Sequence, residues 1–105
     1  DVQGASKIKQ IMPSVVTIFL LPPSFEEWMK RITKTQRNNL DIRLKNAIKE
    51  LDEVWNFEYA IVNYSVEKTV KQIQTIVYCE EVKCKENIKS LINELKSNIK
   101  RYEED

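Results

Sequence analysis

From Val15 to Leu21 the chain is apolar except for Thr17, and it then meets two consecutive prolines, Pro22 and Pro23. Val15, Val16, Thr17, Ile18 and Phe19 are β-branched or aromatic, which predicts a strand over Val15 to Leu21. Neither proline can donate to a strand ladder, so pairing ends there. A strand apolar on both faces suits the interior of a parallel sheet, where helices cover each side.

The flanking segments supply helices. Gly4 is the only glycine, and Ala5 to Met12 predicts a short helix with Ile8, Ile11 and Met12 on one side. Ser24 followed by Glu27 forms a capping box, and Phe25, Trp28, Met29 and Ile32 then recur at helical spacing. Thr33 to Asn39 is polar and predicts a connection. Leu40 to Trp55 predicts a further helix, with Leu40, Leu44, Ala47, Ile48, Leu51 and Trp55 as its stripe and Asp41–Lys45 as a supporting pair. Phe57 to Val62 predicts a second strand, and Asn63-Tyr64-Ser65 a turn capping the next helix. Val66, Val70, Ile73 and Val77 are the expected buried face of that helix. Beyond Cys79 the composition shifts to Lys, Glu and Asn, yet Ile88, Leu91, Ile92, Leu95, Ile99 and Tyr102 keep helical spacing. Residues 79–105 therefore read as a C-terminal amphipathic helix with a solvated charged face.

The element order, α-β-α-α-β-α-α, argues for an α/β fold in which helical crossovers join parallel strands. Two strands alone do not make a stable parallel sheet. The expectation is that these 105 residues are the C-terminal part of a larger α/β domain.

Composition narrows the chemistry. The formal charge is +1, which gives no footprint for nucleic acid, and the longest apolar run is far short of a membrane span. Histidine is absent, which excludes hydrolytic triads and His-based zinc sites within the chain. Cys79 and Cys84 are too few for a disulfide scaffold and read as two spare thiols in a reducing, cytoplasmic setting. Ligands of open α/β sheets gather at the carboxyl ends of the strands. That places interest on Leu21 to Ser24 and Asn63 to Ser65, with Arg31, Arg37 and Arg43 between them in sequence. Those arginines either hold phosphate through their planar forks or are solvated helix residues. Phe25, Trp28, Trp55 and Phe57 stand at core positions and read as packing.

Taken in order, Asp1-Val-Gln-Gly-Ala5, a short helix, and then Val16-Thr-Ile-Phe-Leu-Leu-Pro-Pro-Ser24 resemble the guanylate kinase family. Arg31-Ile32 looks like the family's Arg-Leu, and Arg43-Leu44-x-x-Ala47-x-x-Glu50 matches its Arg-Leu-x-x-Ala-x-x-Glu. Phe57 to Asn63 is similar to the family segment ending in Val-Ile-Val-Asn, and the likeness runs to about Tyr78.

The resemblance implies a P-loop kinase-type parallel sheet, with residues 1–78 as the C-terminal portion of the domain. The lid would span about 31–43, and 79–105 would be a helical extension. It implies transfer of a phosphoryl group from ATP to GMP with Mg2+, giving GDP and ADP. Arg31 and Arg43 would be catalytic, Asn63 and Arg37 would bind ATP, and Asp1 would lie on the GMP and metal side. No residue of this chain is implied as a metal ligand.

Three departures accompany the likeness. The family's Gly-x-x-Gly-x-Gly-Lys-Ser/Thr loop is absent from these residues, and most of the GMP-binding part would precede Asp1. Thr35-Gln36 stands where the family has Arg-Gly, leaving Arg37 as the candidate for that charge. The expectation is no kinase activity from this chain alone. Its partners would be GMP and ATP, and either the N-terminal part of the domain or a second copy. The rival reading is a guanylate-kinase-like module that has lost catalysis and binds a protein partner.

Overall fold

The computed structural model describes residues 1–35 and 39–105, and all of their side chains except those of 33–35. It divides into two units, Asp1–Gln72 and Ile73–Asp105.

In the first unit, helix α1 (Val2–Ile11) starts three residues ahead of expectation because Asp1 serves as its N-cap. The Asp1 carboxylate accepts from the Gly4 amide, which satisfies one of the donors every helix start leaves open. A Cβ on Gly4 would stand 2.9 Å from Asp1 Oδ1, so glycine keeps this cap uncrowded. At the other end of α1, Lys9 Nζ reaches the Val15 carbonyl and the Glu58 carboxylate. That one ammonium ties α1 to the approaches of both strands.

Strand β1 (Ile18–Leu21) and strand β2 (Tyr59–Val62) pair in parallel, with Ile18 opposite Tyr59 and Leu21 opposite Val62. β1 is shorter than the apolar run predicts. Thr17 is occupied just before the ladder, its Oγ1 accepting from Glu58 N at 3.1 Å and its carbonyl from Tyr59 N at 3.1 Å. Phe19 meets Phe57 edge to face, with ring centroids 5.0 Å apart.

Helix α2 (Phe25–Thr35) opens on the expected Ser24 cap, Glu27 N donating to Ser24 Oγ at 3.1 Å. Asn39, with φ 66°, leads into α3 (Leu40–Asp52) from the left-handed region, a conformation asparagine tolerates better than most residues. The predicted helix to Trp55 instead tightens into a 3-10 turn over Glu53–Asn56. This turn leaves Trp55 88% exposed rather than in the core. Helix α4 (Val66–Glu81) begins on Ser65, whose Oγ accepts from Lys68 N at 3.2 Å. Its expected face is also corrected. Val66, Val70 and Val77 are exposed, while Thr69, one turn in, is the buried residue.

Among the described residues Ile61, in the middle of β2, is the one buried apolar side chain. The second unit holds the end of α4, a 3-10 turn over Glu86–Ile88, and α5 (Lys89–Glu104), every residue of which is exposed. Its cysteines, Cys79 and Cys84, are free and exposed.

Candidate functional site

Because β1 and β2 run parallel and in register, their carboxyl ends coincide. Pro22 to Ser24 leaves one end and Asn63 to Ser65 the other. Each strand feeds a helix start, α2 and α4, so two positive helix ends lie beyond the same sheet edge. This arrangement places an anion more favourably there than anywhere along the strands.

Asn63 is the hub. Its amide extends the ladder by donating to the Leu21 carbonyl at 2.8 Å. Its own carbonyl accepts from Arg31 Nη2 at 3.2 Å. Its side-chain Oδ1 accepts from Thr69 Oγ1 at 2.7 Å. Three bonds thus hold a half-buried amide at the strand end, with Nδ2 as its remaining donor group. Arg31 is exposed on α2, and its guanidinium reaches the sheet end to make this bond. A planar fork fixed beside a helix start is suited to an oxyanion with two oxygens in reach.

The other sequence candidates are distributed differently. Arg43 is half-buried on α3, where its amide donates to Asn39 O at 3.1 Å. Arg37 lies outside the described residues. Asp1 is exposed at the start of α1 and lines a groove of about 880 Å³ whose lining includes none of Arg31, Arg43 or Asn63. The structure therefore brings Arg31 and Asn63 together, while Asp1 lines the groove with Leu21, Pro22 and Ser24 of the β1 end.

Thr69 was missed by periodicity, which assigned the inner face of α4 to the valines. The available signal was its position, a hydroxyl in the first turns of the helix that follows Asn63. Among the described residues no group of three or more His, Cys, Asp or Glu side chains is placed to hold a metal ion. No helix among them is long and apolar enough to cross a membrane.

Comparison with known proteins converges on one family. The family model described as Guanylate kinase matches residues 1–80. The guanylate kinase of Clostridium acetobutylicum is 41% identical, the match covering 94% of this chain and 45% of that protein. The guanylate kinase of Clostridium perfringens is 40% identical, covering all of this chain and 46% of the relative. The chain thus spans about half the length of the curated relatives it matches. Among solved structures, the guanylate kinase of Anaplasma phagocytophilum superposes with a TM-score of 0.65 at 36% identity, over 80% of this chain and 39% of that one. The parallel strands, the strand-end Pro-Pro-Ser and the Arg31–Asn63 contact are thus features of a chain that belongs to the guanylate kinase family.

Proposed function

We propose that residues 1–78 form the C-terminal portion of a guanylate kinase domain, and that the complete domain transfers the γ-phosphoryl group of ATP to GMP. GMP gains the group, and ADP and GDP are the products. Residues 79–105 are a helical extension, and the setting is cytoplasmic, in keeping with two free exposed thiols. The observation that carries this reading is the Arg31 guanidinium held at the Asn63 carbonyl, 3.2 Å away, at the shared carboxyl end of two parallel strands.

Phosphoryl transfer asks a protein mainly for positioning and charge neutralisation, which a chain without histidine can supply. Arg31 neutralises the transferring group, and Arg43 and Arg37 bring further positive charge from the lid. Asn63 offers its Nδ2 to ATP. Asp1 serves the GMP side. Its carboxylate also caps Gly4. Mg2+, the cation such a reaction uses, would neutralise phosphate charge.

Two assays test the reading. The 105-residue chain alone gives no GMP-dependent ADP formation; turnover by it would overturn the assignment of these residues as part of a domain. A chimera joining the unmatched part of the Clostridium perfringens enzyme to this chain is active, and Arg31→Ala lowers its kcat about a thousandfold, the scale of a transition-state arginine. A folded but inactive chimera favours the module that has lost catalysis, which the Thr35-Gln36 departure in the lid supports.

A further inference from the structure

Helix α5 carries an apolar stripe that the described residues leave open. Ile88, Ile92, Leu95, Ile99 and Tyr102 follow one another at spacings of four, three, four and three. That is the rhythm of about 3.5 residues that marks a coiled-coil seam. Ile88 stands at the N-cap and the other four lie within the helix, where they are between 42% and 85% exposed. Isoleucine at 92 and 99 with leucine at 95 is the alternation that two-stranded coiled coils favour. The tips of α5 are charged against its own dipole. It starts on Lys89 with no acid in the first turn, and it closes on Glu103 and Glu104, with Arg101 the one cation of its last turn.

We propose that α5 is a self-docking helix, through which two copies of this chain pair antiparallel, with Ile92 of one copy against Tyr102 of the other and Leu95 against Ile99. Charge selects both the occupant and the direction. In that register the positions flanking the seam bring Lys89 of each copy to Glu103 of the other. Each helix start then gains an acid and each helix end a cation, as the two dipoles favour. The ion pair that Lys89 already makes with Glu86 is 3.7 Å long and exposed, so exchanging it costs little. Lys96 meets its own copy at the twofold axis, where its exposed, flexible stem lets the ammonium groups part. A parallel pair offers no such match, because Lys96 would flank Leu91, Glu103 would flank Asn98, and like-charged ends would lie together. The rest of a guanylate kinase domain is a poorer occupant, since the family match ends at residue 80, before α5 begins. An anionic membrane is poorer too, since residues 89–105 carry as many acidic as basic side chains. The pairing is independent of the functional reading above.

The test is sedimentation equilibrium of the 105-residue chain. The concentration series reaches roughly 0.5 mM, because a seam smaller than about 1,200 Å² gives a weak, transient pair. A monomer–dimer equilibrium is expected. Leu95→Glu sets a charge in the seam while keeping a good helix former, and it leaves the chain monomeric with its circular dichroism unchanged. Lys89→Glu and Glu103→Lys, taken singly, each weaken the dimer about tenfold, and the two together in one chain restore it. That rescue also reads the direction, because in a parallel pair positions 89 and 103 lie about 21 Å apart. A monomer throughout the series, a dimer that Leu95→Glu leaves intact, or a double variant no tighter than the single ones would each overturn the proposal. The chimera with the unmatched part of the Clostridium perfringens enzyme is expected to dimerise in the same way. A monomeric chimera whose α5 amides are protected from hydrogen exchange would assign this face to the rest of the domain and overturn the proposal as well.

Discussion

The bond from Thr69 Oγ1 to Asn63 Oδ1, at 2.7 Å, is the contact that fixes the Asn63 side chain. Thr69 is 6% exposed while Asn63 is half-buried, so the bond is shielded from one side only. A neutral side-chain pair of this kind contributes about 1 kcal/mol net, since both groups exchange water for each other. A single Thr69→Val substitution understates this, because the added methyl gains apolar burial of up to about 0.8 kcal/mol. A double-mutant cycle with Thr69→Val, Asn63→Ala and the combined variant cancels that gain. The coupling expected is about 1 kcal/mol. With a urea slope near 1 kcal/mol per molar, at the low end for small proteins, it corresponds to about 1 M in the unfolding midpoint. The readout is urea unfolding of the four proteins followed by far-ultraviolet circular dichroism. A coupling within about 0.3 kcal/mol of zero would mean that water replaces the threonine at no cost, and the positioning of Asn63 by Thr69 would be refuted.

Two further outcomes follow from the same geometry. Ser24→Ala removes the acceptor that Glu27 N meets at 3.1 Å, and is expected to cost about 1 kcal/mol of stability, with faster exchange confined to the first turn of α2; exchange unchanged there would show that Ser24 is not the cap. Trp55→Ala, at a side chain 88% exposed, is expected to shift stability by less than about 0.5 kcal/mol. A loss of several kcal/mol on thermal unfolding would restore Trp55 to the core.

What was legible in the sequence is what a few neighbouring residues determine. Ser24 and Glu27 mark the start of α2, Ser65 marks the start of α4, and Pro22-Pro23 ends β1, because a cap or a missing N–H acts within one turn of itself. The apolar run likewise predicted a parallel strand, and the family likeness over Asp1 to Tyr78 agrees with the match over residues 1–80. Other features depended on partners far along the chain. Thr17 Oγ1 accepts from the amide of Glu58, 41 residues away. Arg31 turns to Asn63 across 32 residues, and Lys9 reaches Glu58 across 49. Trp55 fits the helical stripe yet is exposed, because the chain tightens into a 3-10 turn before it enters β2. Periodicity registers which side chains share a face, but not which face the fold covers. That is why Thr69 rather than the valines of α4 is buried. The sequence by itself determined the starts of α2 and α4, the end of β1 and the family, all written in local chemistry. Only tertiary structure decided that Arg31, Asn63 and Thr69 meet, since parallel pairing of two distant strands is what brings their ends together.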